Sequence, residues 1–271
     1  MNVHARPDSA TILLREDRDG ITLLTLNNSS ARNALSEELI AALGSALDAI
    51  GPDPAIRAVI VAANGPAFSA GHDLKQLTAR RSDPDGGKAY FRQVMTACSA
   101  MMQKIVRLPQ PVIACVSGMA TAAGCQLVAT CDLAVASTEA RFATPGVDIG
   151  LFCSTPMVAL TRNIPRKNAM HMLLTGEPVT ADDAARLGLV NRVVPKGSEL
   201  EAAFALARVV ASKSKATVKT GKEAFYRQAE MSVSDAYAYA SEVMTENMMT
   251  QDANEGICAF VEKRSPAWED R

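Results

Sequence analysis

Between Gly118 and Asp132 the chain reads GMATAAGCQLVATCD, with Ala, Gly, Thr and Cys set around a single amide, Gln126. Residues this small let one backbone approach another, or let a ligand reach backbone N–H groups that a larger side chain would shield. The segment therefore serves either a tight helix contact or a ligand cradle. Metal chemistry is not expected beside it. The six cysteines, at 98, 115, 125, 131, 153 and 258, show no C-x-x-C pairing, and three histidines are too few to complete zinc sites. The cysteines read as small buried thiols of a reducing compartment.

The elements around this segment follow from hydrophobic periodicity. TILLRED and ITLLTLNN are β-rich runs separated by the turn signal Asp19-Gly20, which predicts a hairpin. Ser36 then caps a helix in which Leu39, Ile40, Leu43, Leu47 and Ile50 recur at helical spacing until Gly51-Pro52. IRAVIVAAN (56–64) has the continuous apolar character of a parallel strand. It leads into the loop GPAFSAGHDL and a Gly/Asp/Ser-rich stretch at 82–87, expected to be mobile. From Lys88 to Leu108 apolar residues recur every three or four positions, an amphipathic helix ended by Pro109 and Pro111. PVIACVS predicts a strand, GMATAAGCQLVATCD a helix and DLAVAST a further strand. Thr180 caps TADDAARLG, LVNRVV is one more strand, and the chain after Pro195 is helical.

Composition bounds the partners. A chain of 271 residues, 48% apolar and 21% charged, makes one sizeable core with an appended piece. A net charge of −1 without a basic, aromatic-laced cluster excludes nucleic acid as an expected partner. Residues 108–131 carry no charge over a length that could span a bilayer, but two prolines, two glycines and Ser, Thr and Gln interrupt them, so a buried strand and helix are expected and no membrane association. MNVHARPDSATILLRED lacks the apolar core of a secretory signal and carries acidic residues unlike a transit peptide, so a cytoplasmic location is expected.

Five blocks make the pattern more specific: AFSAGHDL, PQPVIACVSGMATAAGCQLVATCDLAVAS, ARFATPGVDIGL, LTGEPVTADDAARLGLVNRVVP and EGICAFVEKRSPAW. In this order they resemble the enoyl-CoA hydratase/isomerase (crotonase) superfamily from about residue 11 to 268, and within it the enoyl-CoA hydratase domain-containing type that lacks both catalytic glutamates. The resemblance implies an α/β fold of the ClpP/crotonase type, a spiral of ββα units over residues 1–196 holding the acyl-CoA site. It also implies a C-terminal helical region, 197–271, that builds a homotrimer or hexamer. Coenzyme A enters as part of the substrate, with no separate cofactor.

Chemistry next to a thioester carbonyl builds an enolate, which two backbone N–H donors stabilise, each worth about 3 kcal/mol. By position in the family motif the donors are the N–H of His72, after Ala70-Gly71, and that of Ala123, where the family usually has Gly, at a helix N-terminus. The loop SSARNALS resembles the segment whose backbone near Arg32, Asn33 and Ala34 meets the adenine and pantetheine. Lys75 stands where the family places a phosphate-contacting cation. Phe260 and Lys263 stand where it donates an aromatic and a lysine to a neighbour's CoA.

Hydration also needs a base and an acid, and hydratases supply two glutamates. Here the first aligns with Gln126 and the second with Gly146, while an alternative acid position of the isomerases is Ser154. An amide can bind water but cannot exchange a proton usefully. The remaining titratable candidates are Asp148, Cys125, Cys153 and the imidazole of His72. Three readings follow: an acyl-CoA enzyme of the hydratase/isomerase family, a lyase or isomerase of fatty-acid or acyl-CoA metabolism with hydration in doubt; a decarboxylase of malonyl-type thioesters, which SAGHDL resembles; or a CoA-thioester binding protein without catalysis.

Overall fold

In the computed structural model, residues 11–271 are described. Strands β1 (Leu13–Arg18) and β2 (Ile21–Leu26) form the expected antiparallel hairpin. Asp19 and Gly20 both take positive φ, 51° and 74°, the turn whose twist matches paired strands. The charged β1 lies at the edge of the sheet, which protects it from pairing with another chain. The main sheet continues in the order β1-β2-β3-β5-β7-β10, with β3 (Ala58–Ala63), β5 (Val112–Val116), β7 (Leu133–Ser137) and β10 (Arg192–Val194) all parallel from β2 onward.

A second sheet, β4-β6-β8-β9, was not legible in the sequence: β4 (Ala67–Ser69), β6 (Met119–Thr121), β8 (Arg141–Ala143) and β9 (Val179–Thr180) have two or three residues each. Each turn of the chain thus lays one strand in the large sheet, the next in the small one, and returns by helix, the ββα spiral that the resemblance implied. The predicted helix over Gly118–Asp132 is correspondingly shorter. Met119–Thr121 pairs with β4 and β8, and the helix there, Ala123–Thr130, starts only after it.

The helices cover the sheets. Helix α1 (Glu37–Ile50), capped by Ser36 Oγ on Leu39 N–H at 3.2 Å, buries the predicted Leu/Ile stripe. Helix α2 (Leu74–Ala79) is capped by Asp73, and α3 (Lys88–Arg107) buries Val94, Cys98, Met101, Met102 and Ile105. The stretch at 82–87 is not an irregular loop: Asp85 accepts from Gly87 and Ala89 N–H at 2.9 and 2.8 Å, caging the start of α3. Beyond α4 (Ala123–Thr130) come α5 (Ser154–Asn163), α6 (Arg166–Thr175) and α7 (Ala181–Leu187), the last capped by Thr180 as predicted.

Helix α8 (Glu199–Ala211) packs Ala203 and Ala207 onto the outer face of the large sheet, so it belongs to the core layer. Helices α9 (Lys215–Gln228), α10 (Val233–Met248) and α11 (Gln251–Glu262) project beyond it. Their anchor is a buried network. Asp132 accepts from Val112 N–H (2.7 Å), from Lys222 Nζ (2.7 Å) and from Tyr226 Oη (2.8 Å), and Lys222 also donates to the carbonyls of Ile105 and Gln110. Burial pushes the lysine pKa down and the tyrosine pKa up, Asp132 opposing the first shift and adding to the second.

Breaking a buried pair leaves an uncompensated charge, so Lys222→Met is expected to cost about 3–5 kcal/mol, whereas removing an exposed pair such as Arg162–Glu230 costs about 0–1 kcal/mol. Urea unfolding checks this; a loss below about 1 kcal/mol in Lys222→Met would show that the network does not hold α9 to the core.

Candidate functional site

The small residues of the opening segment are explained by one close approach. A Cβ on Gly124 would lie 2.2 Å from the carbonyl oxygen of Ser69, so the start of α4 rests directly on β4. Gly71, at φ +86°, is equally confined: a Cβ there would fall 2.9 Å from the Ala122 Cβ and 3.2 Å from the Ala123 nitrogen. The peptide after Gly71, which carries the N–H of His72, therefore lies beside the N–H of Ala123. Ala122 precedes it at φ 49°, ψ −118°, a conformation that costs a residue with a Cβ about 1–3 kcal/mol. Its own N–H is held by the Ala143 carbonyl at 2.9 Å, which fixes the kink before α4. Ala123 is the first residue of the helix, so its N–H has no acceptor within the helix and is joined by the helix dipole.

The loop at 28–36 is brought to the same place. Ala70 N–H donates to the Arg32 carbonyl at 3.0 Å, and Leu35 N–H donates to the Gly71 carbonyl at 2.7 Å. Arg32 and Asn33 both take φ 51°, and buried Asn33 holds this strained turn by donating to the carbonyls of Asn64 and Ala67 while accepting from Asn28 N–H. Arg32, Ala34, Ala70, His72 and Ala123 thus form one neighbourhood. Lys75 is exposed on the first turn of α2, three residues from His72. Phe260 and Lys263 are exposed at the end of α11, which packs on α9 and α10 and not on the cradle.

The positions that would bear acid and base are filled otherwise. Gln126 lies three residues after Ala123 in α4, buried, with its Oε1 unpartnered. At Gly146 a Cβ would meet the Leu151 carbonyl at 2.8 Å and the Cys153 Sγ at 2.9 Å, so the thiol and the 151–153 backbone occupy the place of a side chain. Burial pushes the Cys125 pKa up to about 12 and raises that of Cys153, which leaves both thiols protonated and unreactive. Asp148 is exposed and its carboxylate lies beside Gly176, and Ser154 donates to the Phe152 carbonyl. The ring nitrogens of His72 are buried and unpartnered. Burial pushes its pKa down, a backbone contact with Leu35 opposing in part, so the imidazole is neutral.

Among the described residues no three His, Cys, Asp or Glu side chains converge as metal ligands, and no helix is long and apolar enough to cross a membrane. What the geometry offers is the backbone after Gly71 set close against the first turn of α4.

Known proteins resemble this chain in sequence and fold. The sequence model of the family described as Enoyl-CoA hydratase/isomerase matches residues 16–271. The chain is 47% identical to Enoyl-CoA hydratase domain-containing protein 3, mitochondrial, of Xenopus laevis, over 98% of this chain and 88% of that one. It is 46% identical to the human protein of that name, over 97% and 84% respectively. A crystal structure of an enoyl-CoA hydratase from Mycobacterium smegmatis superposes with a TM-score of 0.90 at 51% identity, covering 95% of this chain and 98% of that one. The chain belongs to the enoyl-CoA hydratase/isomerase family. The same comparison corrects the expected location: relatives at 44–47% identity are named mitochondrial, which overturns the cytoplasmic reading taken from the N-terminus. Residues 1–10, on which much of that reading rested, lie outside the described residues.

The lowered His72 pKa gives this family member a pH signature. Because the unfolded chain takes up the proton near pH 6.5 and the folded chain only at lower pH, His72 costs no stability above pH 6.5 and destabilises increasingly as pH falls below it. His72→Phe is expected to flatten the stability profile between pH 7 and 5 by up to about 1.4 kcal/mol per pH unit, measured by denaturant unfolding. An unchanged slope would mean that the imidazole titrates freely in the folded state.

Proposed function

We propose that this chain binds an acyl-CoA thioester with its carbonyl oxygen between the N–H groups of His72 and Ala123 and stabilises the enolate or oxyanion that forms there, without hydrating an enoyl substrate at a useful rate. The observation that carries this reading is the seating of Gly71 against Ala122 and Ala123, which sets the two donors side by side. Developing charge on the thioester oxygen strengthens both hydrogen bonds, and the α4 dipole adds to one of them. On this reading the adenine and pantetheine run along the Arg32–Ala34 loop, Lys75 faces phosphate, and Gly146 lines the acyl side.

Assembly belongs to the same proposal. Helices α9–α11 expose Phe225, Tyr237, Met244, Met249, Phe260 and Val261, apolar area that a homotrimer, alone or paired into a hexamer, would cover. Phe260 and Lys263 would then reach a neighbour's CoA, consistent with their distance from the cradle of their own chain.

Hydration is disfavoured because each general acid–base group contributes about 10²–10⁴-fold and neither position 126 nor 146 carries one. The loss of both favours decarboxylation of a malonyl-type thioester as a second reading: the C–C electron pair flows into the thioester, carbon dioxide leaves, and the enolate needs only the cradle and a proton from water. Binding without turnover is the remaining outcome.

Crotonyl-CoA hydration is expected to run at least about 10⁴-fold below a glutamate-bearing family member, while acetyl-CoA still binds. Gly146→Glu is not expected to restore it, because the added side chain meets Leu151 and Cys153. Brisk hydration by the wild type would contradict the reading, and methylmalonyl-CoA turnover separates the decarboxylase from the binding protein.

A further inference from the structure

A cavity of about 490 Å³ lies between α3, α4 and α5 and reaches Gln126. Its apolar walls are Met102 and Val106 from α3, Ala129 from α4, and Val158 and Ala159 from α5. The cavity has the size and apolar lining of a small-molecule site. Its inner end is Gln126, whose carbonyl oxygen is buried without a partner, and its outer end is Arg107 and Arg162 with Glu230. Past Val106, Arg107 and Tyr226 it adjoins a second cavity of about 480 Å³ that adds Lys219, Glu223 and Arg227. The walls are therefore apolar while the far rim is cationic, since Arg107, Arg162, Lys219 and Arg227 face only Glu223 and Glu230.

We propose that this cavity receives an acyl chain whose far end carries a carboxylate, and that Arg107 is the residue that selects it. The inference rests on the cradle reading above, because Gln126, which lines the cavity, stands one turn beyond Ala123 in the same helix α4. Of the other cations, Arg162 Nε donates to Glu230 at 3.0 Å, Lys222 is bound to Asp132 at 2.7 Å and Arg227 stacks over Tyr239, while Lys219 lines the adjoining cavity and not this one. Arg107 donates only to the neutral amide of Gln103, at 2.8 Å, and keeps the rest of its planar donor fork for an anion. A methyl terminus placed here would meet water and guanidinium. A carboxylate would accept paired, charge-assisted hydrogen bonds.

The test is calorimetric binding at low salt of octanoyl-CoA and of suberyl-CoA, which has the same carbon count and a terminal carboxylate, to the full chain and to Arg107→Gln. Suberyl-CoA is expected to bind about tenfold more tightly than octanoyl-CoA to the wild type, with the ratio falling towards one in Arg107→Gln and at high salt. Equal or weaker binding of suberyl-CoA, or a ratio that survives Arg107→Gln, overturns the inference and leaves the cradle reading standing. Failure of both ligands and of acetyl-CoA to bind would overturn the cradle reading and this inference with it. Because Arg107 is exposed on the last turn of α3, its replacement leaves the core untouched, and a far-ultraviolet circular dichroism spectrum verifies that the variant is folded.

Discussion

The site depends on how closely the first turn of α4 can lie on strand β4. Gly124 against Ser69, and Gly71 against Ala122 and Ala123, are contacts with no room for a Cβ, and they put two amide donors from distant parts of the chain next to each other. The rest of the architecture maintains that approach. Strand β6 pairs with β4 on one side and β8 on the other, the Ala143 carbonyl fixes Ala122, and the loop at 28–36 is tied to the Ala70–Gly71 backbone. Ala122, Arg32 and Asn33, three of the positive-φ residues other than glycine among the described residues, flank this approach. That distribution fits a backbone held in place for its N–H groups, with strain offset by the packed core elsewhere.

On the proposed reading the protein keeps the electrostatic half of the family's chemistry and lacks the proton-transfer half. Gln126 retains the length and polarity of a glutamate but not its charge, and position 146 has been closed by Cys153 and the 151–153 backbone. The second change is the more informative, because it is steric as well as chemical. At position 146 a longer side chain would have to displace the Leu151 backbone as well as the Cys153 thiol. The surrounding thiols are held protonated by burial and the imidazole neutral, so the cleft as a whole holds no group with an accessible charge change near neutral pH.

Much of the fold was legible in the sequence, and what was missed depends on tertiary placement. The long elements were read from their periodicity or caps: α1 from its Leu/Ile stripe and Ser36, α3 from its apolar spacing, α7 from Thr180, and the strands of the large sheet from their apolar runs. The four strands of the small sheet were missed because two or three residues carry no detectable period, and their pairing is decided by the spiral, not by local propensity. The proposed cradle residues come from the family motif alone, since backbone N–H donors leave no side-chain signature. The closure of position 146 could not be read at all, as it depends on where residues 151–153 fold back. The cavity walls were present as helical spacing in α3 and α5, but the gap between them is a property of packing.

The most direct measurement of the central claim is the infrared stretch of an isotope-labelled thioester carbonyl in acetyl-CoA, free and bound to the protein. If the N–H groups of His72 and Ala123 hold the oxygen, the band shifts to lower frequency on binding, as a carbonyl polarised by two hydrogen bonds must. Binding that leaves the band at its solution position would place the thioester elsewhere and contradict the account.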